Sequence, residues 1–81
     1  MKDIYLIMGT FDNLQNKVFY WVDETGSNFE LGDYAIVEFN NVYKIVNIVG
    51  YLRTSEHGLF LLTGKKLKNA SRVKKIVKAS E

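Results

Sequence analysis

The chain has no cysteine, no proline and only one histidine among its 81 residues. Without cysteine there is no disulfide framework and no thiolate metal site. That absence also fits a reducing compartment, so a cytoplasmic protein is expected. Long apolar runs are missing too. The N-terminal run Ile4 to Met8 is too short for a signal-peptide core or a membrane span, so no membrane partner is expected. With 47% hydrophobic residues the chain is far from the composition of disorder. A length of 81 residues leaves room for one domain, 1–81, which must live on its core.

Catalytic patterns are equally scarce. His57 stands beside Gly58 in an expected loop, with no serine arranged around it as a nucleophile. Ser27, Ser55, Ser71 and Ser80 fall in turn or tail sequence without a nucleophile-elbow pattern. Gly64-Lys65-Lys66 lacks the spacing and the hydroxyl residue of a phosphate loop. Asp23-Glu24 and Glu30 to Asp33 have no spacing that demands a metal. The expectation is a protein that is not an enzyme and carries no cofactor and no metal.

What the chain does have is short apolar runs rich in β-branched and aromatic residues. They are IYLIMG at 4–9, VFYWV at 18–22, YAIVEF at 34–39, VYKIVNIVGYL at 42–52 and LFLLT at 59–63. Each is bounded by turn-forming residues and none keeps a helical period, so each reads as a strand. DNLQN at 12–16, DETGSN at 23–28 and RTSEHG at 53–58 read as loops. Asn40-Asn41 suits a two-residue hairpin turn, because asparagine tolerates positive φ. Gly50 inside the long fourth run points to a bulge or bend. Five or six short strands in one small chain suggest an all-β, SH3-like or OB-like barrel.

Charge is unevenly placed. Residues 1–63 carry four basic and eight acidic side chains, a balance of −4. Residues 64–81 carry seven basic side chains against Glu81, a balance of +6. A basic segment on an acidic body can mark a phosphate-binding surface, or simply a soluble lysine-rich end. The segment from 65 to 71 reads as a short turn or single helical turn and 73–78 as a strand, its lysines shielding an edge. A terminal helix is the other reading, since Leu67, Ala70, Val73 and Val77 fall at spacings of three and four.

The stretch from Phe29 to Gly50, FELGDYAIVEFNNVYKIVNIVG, resembles small uncharacterised β-barrel proteins of phages and mobile elements in low-GC bacteria. The resemblance rests on Gly32-Asp33 before a valine-rich strand, a tight turn, a strand near glycine and a closing segment similar to SRVKKIVK. The order of elements is also similar, more weakly, to the N-terminal DNA-binding domain of the primosomal replication helicase, which binds the 3′ end of a DNA strand. By the phage-type register, Phe19, Trp21, Ala35 and Val37 face the core. Tyr34 and Glu38 then face out, and so do Val18, Tyr20, Val22 and Ile36, the last four as an apolar set. The alternative is that both faces of the 18–22 strand are buried.

Two functions follow. In the first, Lys65, Lys66, Lys68, Arg72, Lys74, Lys75 and Lys78, with Arg53, meet the phosphates of single-stranded DNA, and Tyr20, Tyr43 and Tyr51 stack on bases. In the second, Val18, Tyr20, Val22 and Ile36 form the centre of a patch that engages a host protein or a second copy in a homodimer.

Overall fold

A computed structural model describes residues 3–79. Alternating apolar residues build β1 (Ile4–Phe11), β2 (Leu14–Val22), β3 (Tyr34–Phe39), β4 (Val42–Thr54) and β5 (Val73–Val77). Between β4 and β5 come helix α1 (Glu56–Thr63) and a 3₁₀ turn (Leu67–Asn69). The strands form one antiparallel sheet in the order β2-β1-β4-β3-β5.

Local chemistry sets the corners. Asn40 and Asn41 have φ of 52° and 65° and pair Phe39 with Val42, the geometry of a type I′ hairpin. The β1–β2 corner needs only Asp12 and Asn13, so the expected 12–16 loop is shorter and strand resumes at Leu14. At Gly50 the expected bulge is present. Met8 pairs with Gly50 but Gly9 pairs with Ile48, which leaves Val49 as an extra residue.

The run LFLLT at 59–63 is not a strand, and His57 is not in a loop. Both belong to α1. Ser55 caps the helix by accepting a bond from the Gly58 N–H at 3.1 Å. Gly64 ends it at φ 74°, where its N–H donates to the Phe60 carbonyl. A β-like composition is overridden by two good caps and by one apolar anchor, Leu59, which is the buried residue of α1. The segment after the helix follows the expectation, with a single turn at 67–69 and a strand over 73–77 rather than a terminal helix.

One core lies on the inner face of the sheet. Ile7, Trp21, Ala35, Val37, Val46, Ile48 and Val73 form it, with contributions from every strand. In a flat sheet β2 and β3 would lie roughly 14 Å apart, three strand spacings. Yet the rings of Phe19 on β2 and Phe39 on β3 stand 6.2 Å apart, so the sheet curls around this core. A second cluster lies on the outer face, where Leu59 covers Ile4, Leu6 and Val22. Here the outward reading of Val22 fails and the alternative, burial on both faces, holds for that residue. Val22 is only 2% exposed, because α1 and the 3₁₀ turn cover the end of β2 on its second face.

The edge strands come together at one point. The Val22 N–H donates to the Ser71 carbonyl at 2.8 Å, beside a parallel bridge between Val22 and Arg72. Among the described residues β2 and β5 share no ladder, and the sheet is open.

Asp33 secures β5 from its other end. It is buried, and its carboxylate accepts the N–H of Glu30 at 2.9 Å and of Ala79 at 3.1 Å, with Lys78 Nζ at 3.3 Å. The two backbone bonds, joined by Lys78, hold its carboxyl below the usual range.

Candidate functional site: two faces of one strand

The eight basic candidates divide into three groups. Arg53, Arg72 and Lys78 face carboxylates of the acidic body: Asp3 at 3.8 Å, Glu24 at 3.0 Å and Asp33 at 3.3 Å. Arg72 also donates to the Ala70 carbonyl. Arg72 and Lys78 hold the basic segment to the acidic body, and Arg53 pairs within that body. Lys65, Lys66 and Lys68 lie on the exposed connection between α1 and β5. Lys74 and Lys75 lie exposed on β5.

The three tyrosines also separate. Tyr20 is half-buried against the outer cluster and, with Val18, Leu62 and Lys65, lines a groove of about 280 Å³ beside the edge of β2. Tyr43 and Tyr51 are both well exposed but on opposite faces of β4. Tyr43 pairs with Glu38 on the outer face, and Tyr51 pairs with Ile7 on the inner face. The bulge at Val49 causes this, since an extra residue inverts the alternation beyond it.

On the outer face the sequence of β3 and β4 leaves apolar side chains uncovered. Ile36 pairs with Ile45, and Tyr34 with Asn47. Tyr43 is 66% exposed and Ile45 63%. Helix α1 covers the other end of the sheet, over Ile4, Leu6 and Val22, and leaves this end bare. From β5, Lys75 faces Ile36, and Lys74 places its ammonium 5.9 Å from the centre of the Tyr43 ring. Aromatic, aliphatic and cationic side chains are therefore combined on one exposed surface.

The proposed protein-contact set does not gather. Val22 is buried. Ile36 lies on β3, with β1 and β4 between it and β2, which carries Val18 and Tyr20. Sequence reasoning missed Tyr5, which is 54% exposed, and Phe29. Both stand with Tyr51 on the inner side. The missed signal was the register consequence of Gly50. A bulge there sends Tyr51 to the side of Tyr5 rather than of Tyr43.

Among the described residues no group of three or more histidine and carboxylate side chains gathers as a metal site. No described helix is long and apolar enough to cross a membrane. Compared with family models, with curated proteins and with solved structures, the chain finds no match in any of the three.

Proposed function

We propose that the chain is a small binding module of the SH3-like or OB-like barrel kind, acting without catalysis, and that it binds single-stranded nucleic acid. Its setting in this reading is cytoplasmic, in replication or in the life of a phage or mobile element. The observation that carries it is the outer-face group of Tyr43, Lys74 and Lys75, with Tyr34 and Ile36 beside them. A base stacks on the exposed ring, and the two ammonium groups meet the phosphates on either side. Lys65, Lys66 and Lys68 extend the positive charge toward the α1 end. Arg53, Arg72 and Lys78 contribute less, because each is already opposed by a carboxylate.

The test is fluorescence anisotropy with an oligothymidylate at low and moderate salt. Each phosphate neutralised on a single strand contributes about 0.7 to the salt slope, so two to five lysines give a slope of about −1.4 to −3.5. Absence of binding at low salt defeats the reading.

A second reading has its own observation. Helix α1 exposes three successive apolar residues, Phe60, Leu61 and Leu62, and Val18 lies exposed near Leu62. An uncovered apolar helix face of this kind suits contact with a host protein or a second copy. Leu61→Ser should then abolish capture of the partner, or dimer formation in sedimentation, without lowering thermal stability.

A further inference from the structure

We infer that the inner-face cleft between the loop 23–33 and strands β1 and β4 receives an arginine side chain of a partner polypeptide. The cleft encloses about 460 Å³ and lies at a different place from the lysine-bearing face. Its floor and walls follow from the register. One row across the sheet reads Asp23, Tyr5, Arg53, because the Asp23 N–H donates to the Tyr5 carbonyl and Tyr5 pairs with Arg53. The next row reads Trp21, Ile7, Tyr51. Ile7 is fully buried and forms the floor. Phe29, carried by the loop, stands against Tyr51 with centroids 5.6 Å apart and planes at 87°. Tyr51 remains 65% exposed and Tyr5 54%, so ring surface of both is open to an occupant.

The electrostatics choose the occupant. Aromatic faces attract cations, and a guanidinium both stacks on a ring and reaches a carboxylate. Asp23 stands at the cleft with one oxygen, Oδ1, bonded by the Thr25 N–H and hydroxyl. Its other oxygen has no hydrogen-bond donor among the described residues. No lysine or arginine lines the cleft. A neighbouring depression shares Tyr5 and Asp23 and adds Asp3 and Glu24. Arg53 and Arg72 pair with those last two at 3.8 Å and 3.0 Å, which leaves Asp23 as the carboxylate without an opposing cation. A phosphate or other anion meets unfavourable charge here. An arginine meets perpendicular aromatic walls and an available acceptor. The acidic body, −4 over residues 1–63, favours a basic segment locally, while the whole chain carries +2.

The test is an amide NMR titration of the whole chain with acetyl-Gly-Arg-Gly-amide, beside the leucine analogue and thymidine monophosphate as controls. The arginine peptide should shift Tyr5, Phe29 and Tyr51 in a saturable way, and the two controls should not. Tyr51→Ala and Asp23→Asn should each weaken binding at least about fivefold, with Tyr51→Phe within about twofold of the parent. Arg53→Met should tighten it, because a competing cation leaves the rim. Melting curves of each variant separate lost binding from lost folding. Equal shifts with the leucine peptide, shifts with the nucleotide at these residues, no saturable arginine binding, or weaker binding by Arg53→Met would each overturn the proposal. Failure here leaves the nucleic-acid reading standing, since that reading is measured on Tyr43 and Lys74.

Discussion

Tyr43 and Tyr51 lie on the same strand, eight residues apart, and are almost equally exposed at 66% and 65%. Strict alternation would put them on one face. One extra residue at Val49 puts them on opposite faces, and their neighbours become opposite as well. Tyr43 sits opposite Glu38 and under the ammonium of Lys74, with Lys75 farther along the same face beside Ile36. Tyr51 sits against Phe29 in a cleft whose only charged lining group is Asp23. The lesson is that exposure of an aromatic ring says little about its use. The charge placed beside it decides whether it meets a phosphate-bearing base or a cation.

The most forceful way to break this comparison is to insert one alanine between Gly50 and Tyr51. The shifted register would turn Tyr51 and Arg53 outward and drive Leu52 to the inner face. Leu52 would lose its place beside Leu6 and Leu59. The insertion should cost about 3 kcal/mol or more in urea unfolding, comparable with a large core truncation such as Trp21→Ala. A loss below about 1 kcal/mol would mean that the register beyond the bulge does not set the two faces.

The next test separates the faces by ligand. Loss of one stacked base is worth about 1–3 kcal/mol, so Tyr43→Ala should weaken oligothymidylate binding by roughly five- to a hundredfold. Tyr51→Ala should leave it within about twofold. Lys74→Glu should weaken binding and flatten its salt dependence. Equal losses for the two tyrosines would dissolve the distinction.

Much of this fold was legible in the residues, and the parts that were not share a cause. The register taken from the phage-type resemblance set Trp21, Ala35 and Val37 inward, where the core lies, and two adjacent asparagines marked the hairpin. Gly50 marked the bulge. The helix was missed because Leu59 to Thr63 have strand-like composition, although Ser55 and Gly64 stand at the cap positions. That miss bears on Val22, which one reading set at the surface and the other buried with both faces of its strand; in the fold Leu59 of the unexpected helix packs over it. For the site, the basic residues were visible but their division was not. Arg53, Arg72 and Lys78 meet carboxylates far away in sequence, and only tertiary proximity reveals those pairs.

A subtler test uses acid. Asp33 ties the end of the lysine-bearing strand to the turn before β3. Its carboxyl is held below the ordinary 3.8, so the unfolded chain takes up a proton first as pH falls. Its contribution is fully present above that value and is lost as pH drops through the lower folded value. Asp33→Asn should therefore lower stability at neutral pH and blunt the loss below about pH 3.8. Hydrogen exchange at low pH should quicken in β5 before it quickens in the β1–β4 ladder. The smallest expected effect is at the hairpin. Asn41→Gly should raise stability by less than about 1 kcal/mol, since glycine adopts positive φ without strain, and should leave both faces unchanged.

The most direct measurement is an amide NMR titration of the chain with oligothymidylate at low salt. Opposed faces predict saturable shifts at Tyr43, Ile45, Lys74 and Lys75, with Tyr5, Phe29 and Tyr51 unmoved. Shifts centred on Tyr51 and Phe29, or none at saturating DNA, would contradict the account.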